Sequence, residues 1–226
     1  MSVNVFLPCR AGSERVPEKN VKPFGRFQNG LIELKLSMLL KCEAIDSIFL
    51  STNDEKIIRL AEELDHEKIN IHKRCESLSG NETSTDDLIS HAAELIPDGH
   101  ILWTHVTSPF IDESVYTRAI TKYFHCLKNG YDSLMSVNVH KGFYWNEKGP
   151  LNYRSSNEKW PRTQTISPLY EVNSGIFLSS RLNYINLSDR IGRKPFLMEL
   201  NKVEGFDIDW PEDFIIAQSL AEQHLK

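Results

Sequence analysis

The stretch Leu7-Pro8-Cys9-Arg10-Ala11-Gly12-Ser13-Glu14-Arg15-Val16-Pro17-Glu18-Lys19-Asn20 sets a glycine, a serine and three fixed cations (Arg10, Arg15, Lys19) directly after an apolar run. Glycine lets the backbone approach an anion and point N–H groups at it, while Arg and Lys neutralise its charge. These are residue types that grip a polyphosphate at the end of a strand. The spacing is neither that of a Walker loop nor that of a dinucleotide fingerprint. Taken alone, the segment also reads as an ordinary surface turn. Far along the chain stands Phe206-Asp207-Ile208-Asp209-Trp210-Pro211. In an extended strand, Asp207 and Asp209 would aim two carboxylates to one side. Two hard oxygen ligands completed by phosphate oxygens suit Mg²⁺. Alone, the pair also reads as exposed acids, or as Asp209 capping the last helix.

Three weaker candidates lie between them. His105-Val106-Thr107-Ser108-Pro109-Phe110 follows a predicted strand, and its two hydroxyls and proline suit a tight turn beside a ligand. An ordinary helix-initiating turn fits it equally, and a lone histidine such as His105 is more often structural. Arg74, with Thr83 and Thr85 nearby, offers a guanidinium for a base edge or for a local acid at little net gain. Arg162 precedes a polar turn, Tyr170-Glu171-Val172-Asn173-Ser174-Gly175, that enters a strand. G-x-S-x-G and H-E-x-x-H are both absent, which leaves hydrolase readings with little support.

Alternating patterns supply the scaffold. Strands are predicted over 3–7, 47–51, 69–72, 100–106, 132–139 and 174–178, and helices over 31–42, 85–96 and 113–127. A further helix, with Ile57, Ile58, Ala61 and Leu64 inward, follows a capping box from Thr52 to Glu55, and a last one starts at Pro211. This rhythm implies an α/β fold, a mostly parallel sheet with helices on both faces. Ligands of such sheets sit at the carboxyl ends of the strands, where the loops 8–20, 52–54, 73–86, 105–112 and 205–213 fall. The rhythm breaks over 140–170, rich in Gly, Pro and aromatic residues. We read this as an arm inserted in a domain made of 1–139 and 171–226, paired with a second subunit or folded as a local lid.

Composition narrows the partners. A net charge of −5 over 226 residues argues against a general nucleic-acid binder. No apolar run reaches transmembrane length, and no secretory signal is visible. The four scattered cysteines form no zinc spacing and read as reduced thiols of a cytoplasmic protein. Cys9 reads as a small buried hydrophobe.

With these residues in view, the chain resembles the acylneuraminate cytidylyltransferases (CMP-sialic acid synthetases), relatives of the CMP-Kdo synthetases. Arg10 to Asn20 is similar to the family signature R-x-G-S-x-x-x-P-x-K-N; Lys19-Asn20 favours the sialate branch, and Thr107-Ser108-Pro109, Asn173 with its turn, and Asp207-Ile208-Asp209 support it. The resemblance implies a Rossmann-like fold of nucleotide-diphospho-sugar transferase type. It also implies that CTP and a 2-keto sugar acid give a CMP-sugar and pyrophosphate, with Mg²⁺. Arg10, Ala11, Gly12, Ser13 and Lys19 would hold the triphosphate, and Asn20 would touch the nucleotide. Arg74, Thr83 and Thr85 would lie on the cytosine side, and Asp207 and Asp209 would hold the metal. His105, Thr107, Ser108, Glu171 and Asn173 would face the acceptor. Arg162 would do so from the arm of a homodimer. The general base stays open between Asp209 and a hydroxide on the metal. Three positions depart from the family: His105 where Gln is frequent, Ile111-Asp112 where an arginine often stands, and Glu171 where an arginine is common. Fewer cations near the sugar leave the acceptor open among sialic acid, another nonulosonic acid, another sugar acid and an amino-bearing substrate. A metal-dependent glycosyltransferase with an Asp-x-Asp site and a non-catalytic nucleotide-binding module are the competing functions.

Overall fold

The computed structural model describes residues 2–80, 82–154 and 158–225. Its main sheet uses β1 (Val3–Cys9), β2 (Ser47–Thr52), β3 (Ile69–Lys73), β4 (His100–Trp103), β5 (Ser133–His140), β8 (Leu169–Ser180) and β9 (Pro195–Leu200). β6 (Trp145–Asn146) and β7 (Gly149–Pro150) form a separate small ribbon. The seven strands run in the order β3-β2-β1-β4-β8-β5-β9. All pairings are parallel except those of β8, which runs antiparallel to both β4 and β5.

Helices cover both faces, as the alternating pattern implies. Val3, Val5 and Leu7 share one core with residues of α1 (Gly30–Lys41), α2 (Glu55–Leu64), α4 (Glu113–Leu127) and α6 (Pro211–His224). Phe6 points the opposite way, into a second core with α3 (Thr85–Leu95), Trp103, Phe177 and Tyr184 of α5 (Arg181–Leu187). β1 is thus covered on both faces and reads as a nearly continuous apolar run, as interior parallel strands do. Each Leu- or Phe-sized side chain buried there contributes about 1.5–3 kcal/mol.

Several local expectations change. The capping box from Thr52 to Glu55 does not form. Thr52 ends β2, its hydroxyl accepts the Asp54 N–H at 3.0 Å, and Asp54 caps α2 by accepting the Lys56 N–H at 2.9 Å. Glu55 turns instead to Lys73. Leu64 stays 41% exposed and Leu60 is buried in its stead. β4 ends at Trp103 rather than at Val106; the Thr104 N–H still donates to the Phe6 carbonyl of β1 at 3.2 Å, and its hydroxyl donates to the Gly175 carbonyl at 2.8 Å. β8 is far longer than 174–178, and α5 and β9 lie where no element was predicted. The 206–209 segment belongs to no strand; the Ile208 N–H donates to the Thr107 carbonyl at 2.9 Å.

Between β5 and β8 the chain folds on itself. Asn152 clips this segment together, donating to the carbonyls of Gly142 (2.8 Å) and Ser167 (3.0 Å). Phe143 packs edge-on against Tyr153 and Trp160, and Trp160 remains 67% exposed.

Candidate active site

Two clefts meet at the carboxyl ends of the central strands. The first, of about 300 Å³, is lined by Arg10, Ser13, Lys19, Asn20, His105 and Thr107 among others. The second, of about 910 Å³, is lined by Asn138, Glu171, Asn173, Ser174, Asp207 and Asp209 among others. Lys19 joins them, donating its ammonium to the Ile208 carbonyl at 2.7 Å. Arg15 adds a second tie, 3.2 Å from the Asp209 carboxylate, and lies over the Trp210 ring. The cationic loop and the two acids, almost two hundred residues apart in sequence, therefore form one site.

The loop is held from below. Gly12 takes φ +76°, a conformation that a side chain strains. The Ala11 N–H is already given to Asn53 Oδ1 at 2.9 Å, so it is not free for a phosphate in this conformation. Asn20 is buried, and its amide donates to the Arg10 carbonyl at 3.0 Å, which makes it a brace for the loop. Burial lowers the Lys19 pKa, and the charges of Asp209 and Asp207 partly oppose the fall. Cys9 lies beneath the loop with its thiol pushed up to about 12 by burial, as an unreactive hydrophobe does.

Asp207 is the acid of the pair whose carboxyl is shifted upward. Burial, with Asp209 adding to it, lifts its carboxyl to about 6 against the opposing Thr107 hydrogen bond and the Lys19 charge. Its Oδ1 is buried without a hydrogen-bond partner among the described residues. Asp209 does not cap α6; Asp213 does so, accepting the N–H groups of Asp209 (3.1 Å) and Trp210 (2.8 Å).

The remaining sequence candidates divide. Asn173 borders the second cleft and is locked in a network: it accepts from Ser136 Oγ at 2.6 Å and donates to Asn138 Oδ1 at 3.0 Å. Ser174 beside it holds φ +58°, a strained value for a non-glycine residue. Glu171 binds His140 at 2.7 Å on the rim, and the hydrogen bond from His140 holds its carboxyl below the usual range. Thr107, whose side chain hydrogen-bonds Asp207 of the second cleft, lines the first. Ser108 does not: it is buried, and its carbonyl accepts from Lys35 at 2.8 Å. Arg74 is buried among backbone, donating to the carbonyls of Ser51 (3.0 Å) and Leu78 (3.4 Å), with its Nε unpartnered. Thr83 bonds the Ser77 carbonyl and Thr85 opens α3 at the surface; neither lines the two clefts. Arg162 is exposed between β7 and β8, outside both clefts. Asn53, Lys35, Trp103 and Arg190 are supports that sequence reasoning missed. Only Asn53 had a signal, its place in a strand-end loop.

Gly205 explains how closely the second cleft is packed. A Cβ there would lie 1.9 Å from Asn138 Oδ1 and 3.0 Å from Asn173 Nδ2. Gly205→Ala is expected to destabilise the fold by about 1–3 kcal/mol, the range for overpacking. Chemical denaturation checks this; an unchanged midpoint would show that the cleft wall is not rigid.

The fold and site together define a nucleotidyltransferase-like α/β protein. Solved structures of similar fold include a CMP-2-keto-3-deoxy-manno-octonic acid synthetase complexed with CTP (TM-score 0.68, 16% identity, 99% of each chain). Another is a 4-diphosphocytidyl-2C-methyl-D-erythritol synthase from Anaerococcus prevotii (TM-score 0.66, 14% identity, 98% of this chain and 96% of that one). At the sequence level, residues 5–225 match the model of the cytidylyltransferase family, and the chain belongs to that family. It is 24% identical over 182 residues to a pseudaminic acid cytidylyltransferase of Campylobacter jejuni, covering 76% of this chain and 75% of that protein. It is 26% identical over 227 residues to an N-acylneuraminate cytidylyltransferase of Streptococcus agalactiae, covering 93% of this chain and 51% of that protein. The chain thus spans about half the length of that second relative.

Proposed function

We propose that this protein transfers the cytidylyl group of CTP to a 2-keto sugar acid of the nonulosonic type, releasing pyrophosphate. The observation that carries the reading is the Lys19–Ile208 bridge, which sets a loop of fixed cations against two carboxylates. Relatives named for pseudaminic and N-acylneuraminic acid support the acceptor class.

In this reading Arg10, Ser13, Lys19 and the Gly12 backbone bind the triphosphate in the first cleft. The acceptor lies in the second, and its anomeric hydroxyl attacks the α-phosphorus in line. Arg10 and Lys19 stabilise charge on the departing pyrophosphate, and positioning supplies most of the remaining acceleration. Asp207 and Asp209 fit a divalent cation such as Mg²⁺, since Asp207 presents a buried oxygen with no hydrogen-bond partner among the described residues. When bound, that ion would neutralise phosphate charge. Asp209 must first exchange its Arg15 partner, an exposed pair that costs little to break.

The aromatic segment between β5 and β8 serves, in our reading, as the arm of a homodimer. Arg162 would then face the acceptor site of the second subunit. Arg162→Ala is expected to lower kcat/KM for the acceptor about tenfold and to leave the KM for CTP in place. An equal loss for both substrates would contradict that role. Free cysteines suit work in the cytoplasm, and among the described residues no helix is long and apolar enough to cross a membrane.

The direct test is incubation with CTP, Mg²⁺ and a panel of sugar acids, reading pyrophosphate. Release with at least one nonulosonic acid is expected. Sugar transfer from a premade nucleotide-sugar without pyrophosphate would favour a glycosyltransferase. CTP binding without turnover of any acceptor would favour a non-catalytic module.

A further inference from the structure

His105 lines the first cleft, and its ring is tied to Trp103. The Trp103 indole Nε1 donates to His105 Nε2 at 2.9 Å. An indole nitrogen can only donate, so the facing imidazole nitrogen must carry a lone pair. The ring proton therefore resides on Nδ1. Among the described residues that atom has no hydrogen-bond partner, and it is not one of the buried unpartnered atoms, so it faces the cleft that the ring lines.

Trp103 is itself immobile. It is 1% exposed, packs edge-on against Phe6 at 4.7 Å, and lies under the Arg190 guanidinium at 5.1 Å. Arg190 is anchored in turn over the Phe177 ring at 3.8 Å. The charges that act on His105 are cations, while Glu14 and Arg15 also line its cleft. Arg190 lies beyond Trp103, Lys35 projects from α1 beneath the Thr107-Ser108 turn, and Lys19 and Arg10 stand across the cleft.

We propose that Trp103 locks His105 in its neutral Nδ1–H tautomer, so that His105 presents a fixed hydrogen-bond donor to an oxygen of the bound substrate and takes up no proton during turnover. Burial and the surrounding cations act in the same direction, holding the imidazolium pKa down to about 3. A neutral donor also makes glutamine the conservative replacement for this histidine. Both side chains can offer one N–H to an oxygen acceptor without adding charge. Trp103 is then a positioning residue. The substrate end of this inference rests on the cytidylyl-transfer reading; the tautomer does not.

The test pairs spectroscopy with kinetics. ¹⁵N chemical shifts of the His105 ring in the native protein are expected to show Nδ1–H and no titration between pH 5 and 8. Trp103→Phe keeps an aromatic ring but removes the donor, and is expected to give mixed tautomers and to lower kcat/KM about tenfold. His105→Leu should cost at least as much, and His105→Gln should recover most of that loss with the native pH profile. A native ring protonated at Nε2, or titrating in that window, would overturn the lock. A Gln variant no better than Leu would overturn the donor role. Should the native protein release no pyrophosphate from CTP with any acceptor, the functional reading fails, and the ¹⁵N result still decides the tautomer.

Discussion

Asp207→Asn is expected to lower kcat by about 10³-fold, the scale for losing one preorganised electrostatic contact to a transition state. The same change is expected to make the protein more stable at neutral pH. The native carboxyl is lifted to about 6 by burial and by Asp209. A carboxyl raised in the folded state binds its proton more tightly there than when unfolded. Its stabilising contribution is complete below the unfolded value and is lost as pH rises through about 6. At pH 7–8 the ionised side chain is therefore a burden that Asn removes. Discounted for partial exposure, a gain of about 1 kcal/mol raises Tm by about 2–4 °C. Loss of rate with gain of stability is the signature of a residue kept for function. Calorimetry across pH 3.5 to 8 checks the sign, since the gain should be largest at pH 8, smaller at pH 5, and absent once the pH is below the unfolded carboxyl value. In the native enzyme the apparent affinity for Mg²⁺ should weaken as pH falls through about 6, because ligation needs the ionised form. A variant that kept its rate would remove Asp207 from the site.

Arg10→Ala carries the second large effect, a fall in kcat/KM of about 10²–10³-fold with the fold intact. Arg10 is only half-buried, at the mouth of the first cleft. The loop below it is held by Asn20, Asn53 and Gly12, so truncating the side chain leaves the backbone in place. Arg10→Lys should recover only part of the loss, since an ammonium cannot grip a phosphate with two parallel N–H groups. Steady-state kinetics with melting curves separate the outcomes. A rate near native would mean that the triphosphate lies elsewhere; a collapsed melting curve would mean that Arg10 is structural.

The parts legible in the sequence were those with a local physical cause. β1 is covered on both faces, so its apolar run was visible, and the cationic loop had to follow it. Ile208 is buried while Asp207 and Asp209 flank it and line one cleft, as alternation implies, although no strand pairs there. What stayed hidden depends on distant partners. β9 pairs with β5 across more than fifty residues, and β8 runs against its neighbours, which a β-α-β rhythm does not foretell. The polar residues of the site carry structural bonds that type alone does not reveal. Asn20 and Arg74 donate to backbone carbonyls, and Ser108 is buried with its carbonyl held by Lys35. Lys35 gave no signal at all: a lysine in an apolar helix face reads as solvent-facing, but Ser108 and Tyr116 accept its hydrogen bonds at 2.8 Å inside the core.

In our reading one nucleoside triphosphate bridges the Arg10–Lys19 loop and the Asp207–Asp209 pair. A crystal grown with Mn²⁺ and a non-hydrolysable CTP analogue is expected to show anomalous scattering within coordination distance of both carboxylates and triphosphate density along the loop. Manganese bound away from these acids, or nucleotide density in another cleft, would contradict it.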